Sequence, residues 1–431
     1  MSLLTKASFI ESIQIHSKAI RIPSQFHPFT APQWASTYFH EDKIPRYKLS
    51  LANLPTPIDQ IFPCPDSFLT GHILNSFKEF NTTLLVKRDD CSSGVELGGN
   101  KIRKLEFLLA DALEKKAKKI VTIGGEQSNH CRATAAACRM IGIEPHLILR
   151  TKRANNVKKK KSEKDQLHEN DSFGYTGNIL FDRIVDSHIY TVTPGEYGRF
   201  GSNMLIDRLC SALQEKEEGS VYPIPVGGSN ALGTWGYIAG VNEVLDQLKD
   251  YDNMVDHIVF ACGSGGTAAG ITLGIGLAYN QGMIKKKPQL HAVGVCDNPE
   301  IFYEEIRNIS NEMGLDISSH GSSNITQWIK DHVQIYQGKG LGYAISTPQE
   351  MAFCAQFAKE TGIVVDPVYT GKALNHFVSV VMESDKELFR NSTVLFWHTG
   401  GSLGLYDKID TLSRTASQVK RFDVYGNNKP I

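Results

Sequence analysis

The chain has 431 residues, with 46 basic and 46 acidic side chains that cancel to a formal net charge of zero. A single core stops growing beyond roughly 250–300 residues, so this length points to two domains. The neutral balance argues against a nucleic-acid binder, and no apolar run approaches the ~20 residues of a membrane span.

The first forty residues, within an N-terminal segment taken as 1–45, are poor in acids and carry prolines at 23, 28 and 32, with Trp34 and Phe39. They read as an extended arm packed on a domain, with an organelle transit segment as the alternative. The eight cysteines (Cys64, Cys91, Cys131, Cys138, Cys210, Cys262, Cys296 and Cys354) are dispersed and form no CxxC pair. Free thiols in a reducing, cytoplasmic compartment are expected, or a mitochondrial one if the transit reading holds.

From residue 84 strands and helices alternate. Leu84–Arg88 reads as a strand, and Gly98-Gly99-Asn100-Lys101 opens a helix. A lysine after two glycines lies where backbone approaches a planar ligand closely, and lysine forms Schiff bases with carbonyl cofactors. Ile120–Ile123 is a strand, Ser128 caps an Ala-rich helix to Met140, and Pro145–Leu149 is a strand. A lysine-rich stretch over 152–170 then reads as a solvated loop insertion. Helices are predicted over Asn178–Val185, Asn203–Glu218, Ala231–Leu248 and Thr267–Asn280. Strands are predicted over Ile189–Val192, Val221–Val226, His257–Ala261, Leu290–Val295 and Thr393–Trp397. Thr347-Pro348-Gln349-Glu350 has the cap threonine, first-turn proline and third-position glutamate of a helix start, with the helix running to about Thr361. Such alternation implies parallel sheets covered by helices.

Several glycine turns follow apolar strands. Cys262-Gly263-Ser264-Gly265-Gly266-Thr267 combines glycines with a helix start, which makes an anion site for phosphate. The same stretch fits GxGxxA through Ala268, and Asp297 closes the next strand where a ribose-binding acid would sit, so a dinucleotide-dependent oxidoreductase remains open. Gly124-Gly125-Glu126-Gln127-Ser128-Asn129-His130, Gly227-Gly228-Ser229-Asn230 and His398-Thr399-Gly400-Gly401 could converge at one sheet edge on a single small-molecule site. His130, Cys131, Cys138 and His146 lack a structural-zinc spacing, so no metal is expected.

Taken in order, Lys87-Arg88-Asp89-Asp90, the Gly98–Glu106 segment, Gly124–His130, Cys262–Thr267, Asp366-Pro367-Val368-Tyr369-Thr370-Gly371-Lys372-Ala373 and His398–Gly401 resemble the tryptophan-synthase-β group of pyridoxal-phosphate enzymes, fold type II. They resemble most the subgroup of D-cysteine desulfhydrase and 1-aminocyclopropane-1-carboxylate deaminase. The likeness spans roughly residues 46–408. It implies an α/β fold of two open, mostly parallel sheet domains covered by helices, with the cofactor in the cleft between them. The large domain would comprise 46–103 and 231–408, the small domain 104–230, and residues 409–431 would form a tail.

The resemblance implies pyridoxal 5'-phosphate as cofactor and Lys101 as its Schiff-base lysine and the base at the substrate Cα. Asn129 would bond the ring oxygen, and Gly263, Ser264, Gly265, Gly266 and Thr267 would cradle the phosphate. Ser128, Asn129, His130, Tyr343 and Tyr369 would contact an amino-acid substrate, with Ser128 and Asn129 at its carboxylate and both tyrosines flanking the reacting carbon. Ser128, Tyr343 and Tyr369 would join Lys101 as catalytic residues. Thr370 and Thr399 stand where the deaminases resemble Glu and Leu, as the desulfhydrases have them. A neutral partner for the ring nitrogen makes a milder electron sink, which favours β-elimination from D-cysteine over ring opening. The deaminase and a serine racemase or dehydratase are the neighbouring alternatives, and a homodimer without nucleic-acid or membrane partners is expected.

Overall fold

A computed structural model describes residues 26–62, 72–154, 174–216, 219–249, 255–318, 324–415 and 419. The start of the arm, Cys64, most of the lysine-rich insertion and most of the tail lie outside the described residues.

The strands are β1 (Phe26–Pro28), β2 (Tyr47–Leu49), β3 (Ile58–Ile61), β4 (Thr83–Arg88), β5 (Ala117–Gly125), β6 (Glu144–Arg150), β7 (His188–Val192), β8 (Ser220–Pro223), β9 (His257–Cys262), β10 (Gln289–Gly294), β11 (Val333–Gln337) and β12 (Thr393–His398). They build two larger sheets. One has the order β11-β10-β9-β12-β4-β3, and the other β7-β6-β5-β8. Every pairing in them is parallel except β3 against β4. β1 and β2 form a separate antiparallel pair.

Strands covered on both faces need apolar side chains on both. β9 and β12 are buried at all six positions. The helix Gly266–Asn280 is buried from Gly266 through Ala278. It is apolar all round because it is enclosed by the helix Ala231–Leu248, strand β9 and the helix Pro299–Glu312. Between β4 and the glycine-led helix Lys101–Glu114 lies a buried polar knot. Asp89 accepts from Arg103 Nη2 at 2.7 Å, Tyr237 Oη at 2.8 Å and Trp397 Nε1 at 2.8 Å. The Lys87–Asp90 segment thus anchors this helix, and none of its residues lines the cavity described below.

The stretch 26–45 buries Trp34, Tyr38 and Phe39. Trp34 Nε1 donates to Asn242 Oδ1 at 2.9 Å, and Trp235 Nε1 donates to Lys43 O at 3.2 Å. The described cysteines are free, with Cys131, Cys138, Cys262 and Cys354 buried.

One expected strand is shorter than its apolar run. Val221–Val226 pairs only to Pro223, and the chain then enters a 3₁₀ turn at Val226–Gly228. Pro223 and Pro225 carry no N–H for a ladder, which ends the strand. The capping box at Thr347 and Glu350 forms as predicted, over a helix Pro348–Thr361.

Candidate active site

The strand ends that carry the glycine turns meet across a cavity of about 460 Å³, a size suited to a small cofactor and substrate. Its wall includes Gly124, Gly125 and Arg150 from the ends of β5 and β6, Cys262 from the end of β9 with Gly263 after it, and Thr399 and Gly400 after β12. The carboxyl edges of both sheets therefore face one site, as open α/β sheets dictate.

Lys101 is the first residue of its helix. Its Nζ faces the cavity and donates to Asn100 Oδ1 at 2.8 Å. Burial pulls its ammonium down to about 8, the nearby Arg132 guanidinium adds to this, and the Asp366 carboxylate opposes it. A free amine near neutral pH is what nucleophilic and base roles require. The loop before it packs backbone against backbone. Gly99 (φ +107°) lies under Thr399 O, and a Cβ on Gly400 (φ +81°) would come within 2.8 Å of Gly99 Cα. Only glycine permits both the left-handed dihedrals and this approach.

The turn Cys262–Thr267 leads from β9 into the helix Gly266–Asn280, with Gly263, Ser264, Gly265 and Thr267 on the cavity wall and Gly266 just behind them. Gly266 N donates to Ser229 Oγ at 3.2 Å, and Ser229 Oγ donates to Ser264 Oγ at 2.8 Å. Lys104 reaches the same place. Its Nζ donates to Gly227 O and to Ser229 Oγ, both at 3.2 Å, and it forms no ion pair among the described residues. Burial and the neighbouring Lys101 hold the Lys104 ammonium well below its usual range. A helix N-terminus with a buried, unpaired lysine amine beneath it suits an anion, whose charge would favour the protonated form of that amine. Sequence reasoning missed Lys104, whereas Ser229 lies in one of the glycine turns expected to converge on the site. The signal was the three-residue step from Lys101, which puts Lys104 one helical turn on.

Ser128 caps the helix Asn129–Met140, accepting from Cys131 N at 3.2 Å. Ser128, Asn129 and His130 all line the cavity. Asn129 Oδ1 and His130 Nδ1 are buried without a hydrogen-bond partner. His130 Nε2 lies 2.8 Å from Thr122 Oγ1, which itself donates to Ile224 O. The Thr122 hydroxyl therefore accepts from His130 Nε2–H, leaving Nδ1 as a bare acceptor. Burial and the two nearby lysines keep this imidazole neutral.

Tyr343 and Tyr369 also line the cavity, their hydroxyls 2.7 Å apart. Burial pushes both phenols up, so both stay protonated. Thr399 faces the cavity, but Thr370 is not among its lining residues. The Thr370 hydroxyl donates to Asp366 Oδ1 at 2.7 Å and accepts from Asp366 N at 2.9 Å. Asp366 also accepts from the backbone of Val368, Tyr369 and Thr370, which ties it to its own turn.

A family model described as pyridoxal-phosphate dependent enzyme matches residues 70–400. The chain belongs to this family. Its relatives include an Arabidopsis thaliana protein named bifunctional D-cysteine desulfhydrase/1-aminocyclopropane-1-carboxylate deaminase, mitochondrial, 40% identical across 92% of this chain and 88% of the relative. A Klebsiella pneumoniae D-cysteine desulfhydrase is 29% identical across 83% of this chain and 95% of the relative. A crystal structure titled as an ACC deaminase homologue superposes with a TM-score of 0.67 at 27% identity, covering 90% of this chain and 100% of that one. These pyridoxal-phosphate enzymes share the fold-type-II α/β architecture expected from the motifs.

The membership removes the dinucleotide reading of Gly263–Ala268. The local strand, glycine turn and helix are common to both classes, because both place a phosphate at a helix start. The residues present fit pyridoxal phosphate. A buried low-pKa amine at Lys101, unpaired polar atoms on Asn129 and His130, and the Lys104 amine behind the glycine turn match an aldehyde, a polar ring and a phosphate.

Elsewhere, Glu144, His146 and His188 are the one group among the described residues close enough together to hold a metal ion. The two imidazoles stack with planes 11° apart and centres 4.5 Å apart. An ion lying in one ring plane would lie outside the other, so this arrangement suits the Glu144–His188 ion pair better.

Proposed function

We propose that this enzyme catalyses β-elimination on D-cysteine, giving pyruvate, hydrogen sulfide and ammonia. The observation that carries the reading is the Lys101 amine, held near a pKa of 8 on the wall of a cavity that also presents the neutral hydroxyls of Tyr343, Tyr369 and Thr399. The names of the Arabidopsis thaliana and Klebsiella pneumoniae relatives support the substrate.

Lys101 would hold the cofactor, Gly263–Thr267 with Lys104 and Ser229 its phosphate, and Asn129 its ring oxygen. When bound, pyridoxal phosphate condenses with an amino group and accepts the electron pair left at Cα. Ser128 and Asn129 orient the substrate carboxylate. Lys101 Nζ takes the Cα proton, and the Cβ–S bond breaks with its electron pair leaving on sulfur. Tyr343, hydrogen-bonded to Tyr369, gives that sulfur its proton. The three-carbon enamine that departs takes up water to become pyruvate and ammonia. Thr399 offers no carboxylate to strengthen the electron sink, and Thr370 acts from behind the wall through Asp366.

We also place the domain boundaries at 46–103 with 231–408 and at 104–230, and infer a homodimer in the cytoplasm. The name of the Arabidopsis thaliana relative supports a mitochondrial alternative. The same name supports a second activity, deamination of 1-aminocyclopropane-1-carboxylate. Purified protein given D-cysteine should release sulfide and pyruvate in equal amounts. Release of neither overturns the substrate. Ammonia and 2-oxobutanoate from the cyclopropane amino acid alone would favour the second activity.

A further inference from the structure

One cation on the cavity wall is left out of this account. Arg150 is the last residue of β6, and its guanidinium carbon lies 4.8 Å from the Tyr197 ring centre and 5.2 Å from the Tyr343 ring centre. Its cross-strand neighbour is Gly125. With no side chain there, the Tyr343 ring occupies the space, 3.5 Å from where a Cβ on Gly125 would sit. The acid next along, Glu126, is already taken. It accepts from Thr151 Oγ1 at 2.7 Å and pairs with Arg153. Asp297 and Glu305 share the cavity wall, yet Arg150 has no ion pair and no hydrogen bond among the described residues.

Two aromatic faces fix the plane of the guanidinium but leave its N–H edge without an acceptor. Cation–π contacts orient an arginine without neutralising it, and its planar fork suits a carboxylate or a thiolate better than a neutral group. We propose that Arg150 recognises an anionic group of the substrate. This rests on the reading of the cavity as an amino-acid site. The group is either the substrate carboxylate or the thiolate expelled beside Tyr343, and the two sources separate experimentally.

The holoenzyme and its Arg150→Gln and Arg150→Lys variants would be titrated spectroscopically with D-alanine, which has a carboxylate but no leaving group, and with D-alaninamide, which has neither. Their kcat and KM would be compared for D-cysteine and β-chloro-D-alanine. Recognition of the carboxylate predicts a tenfold or greater rise in the D-alanine dissociation constant for Arg150→Gln, with D-alaninamide unchanged and KM raised for both substrates. Recognition of the thiolate predicts unchanged D-alanine binding and a tenfold or greater loss of kcat for D-cysteine alone. In either case Arg150→Lys should recover part of the loss. Values within twofold of the parent for every ligand and substrate overturn the proposal. So does equal weakening of D-alanine and D-alaninamide, which marks a structural role. If the parent binds D-alanine but releases no sulfide, the D-cysteine reading fails and Arg150 is judged on D-alanine binding alone.

Discussion

Asn100 and Thr267, 167 residues apart in the chain, meet through a hydrogen bond from Asn100 Nδ2 to Thr267 Oγ1 at 3.1 Å. The same amide accepts from Lys101 Nζ. One side chain thus links Lys101 to the start of the helix after the Cys262–Thr267 turn. Removing both bonds, at about 1 kcal/mol each, should weaken cofactor binding by roughly tenfold or more. Titrating cofactor-free Asn100→Ala with pyridoxal phosphate checks this, and parent-like affinity would show that the bridge is incidental.

The amine itself should report its environment. Cofactor-free protein is expected to capture pyridoxal phosphate faster as pH rises, with a midpoint near 8 rather than at the lysine value of 10.5. Between those two values the unfolded chain binds more protons than the folded one, so stability of the cofactor-free protein should rise with pH through this window. Lys101→Ala should lose the absorbance band that borohydride bleaches in the parent.

Lys104 should show a trade of stability against binding. Burying a lysine amine without a carboxylate partner is costly, whether it stays charged or gives up its proton, so Lys104→Met is expected to keep or raise the melting temperature of the cofactor-free protein. Its affinity for pyridoxal phosphate should fall at least tenfold. Loss of stability together with unchanged affinity would remove Lys104 from the cradle.

Gly400→Ala places a methyl group 2.8 Å from Gly99 Cα at a φ of +81°. Strain of this kind costs about 1–3 kcal/mol, and here it would push apart the two loops that bear Lys101 and Thr399. A lowered melting temperature and weaker cofactor binding should appear together in calorimetry and titration.

Arg103→Leu leaves the buried Asp89 carboxylate without its Arg103 partner. Breaking such a pair costs about 3–5 kcal/mol. In the parent, burial pushes the Asp89 carboxyl up, but the Arg103 guanidinium, Lys87 and the Trp397 hydrogen bond together hold it below its usual range. The stability it contributes is therefore present above the unfolded carboxyl pKa and lost as pH falls through the folded one. Urea denaturation of parent and variant at neutral and acid pH measures both effects.

The order of strands and helices was legible because their patterns are local. Apolar runs leading into glycine turns marked β5, β9 and β12, an apolar run alone marked β4, and the cap grammar at Thr347 placed its helix start. The same grammar at Asn298-Pro299, where Asn298 Oδ1 accepts from Ile301 N, announced a helix that went unread. Edge strand β11 was also passed over, since its alternating burial, Val333 and Ile335 inside with Gln334 and Gln337 outside, gives a weaker signal than an apolar run. Val221–Val226 was overextended because hydrophobicity outvoted two prolines.

By itself the sequence determined the alternating α/β plan and the family through its glycine turns, and it pointed to Lys101 as the candidate Schiff-base lysine. Each is written in contiguous residues, whose dihedral needs and hydrogen-bonding groups act over a few positions. The tertiary structure decided the rest. It set Lys104 and Ser229 against the Cys262–Thr267 turn, turned the Thr370 hydroxyl onto Asp366, and left Arg150 between two tyrosine rings without an acid. Those outcomes depend on which distant side chains supply or withhold a partner, and charge pairing across a fold has no local signature.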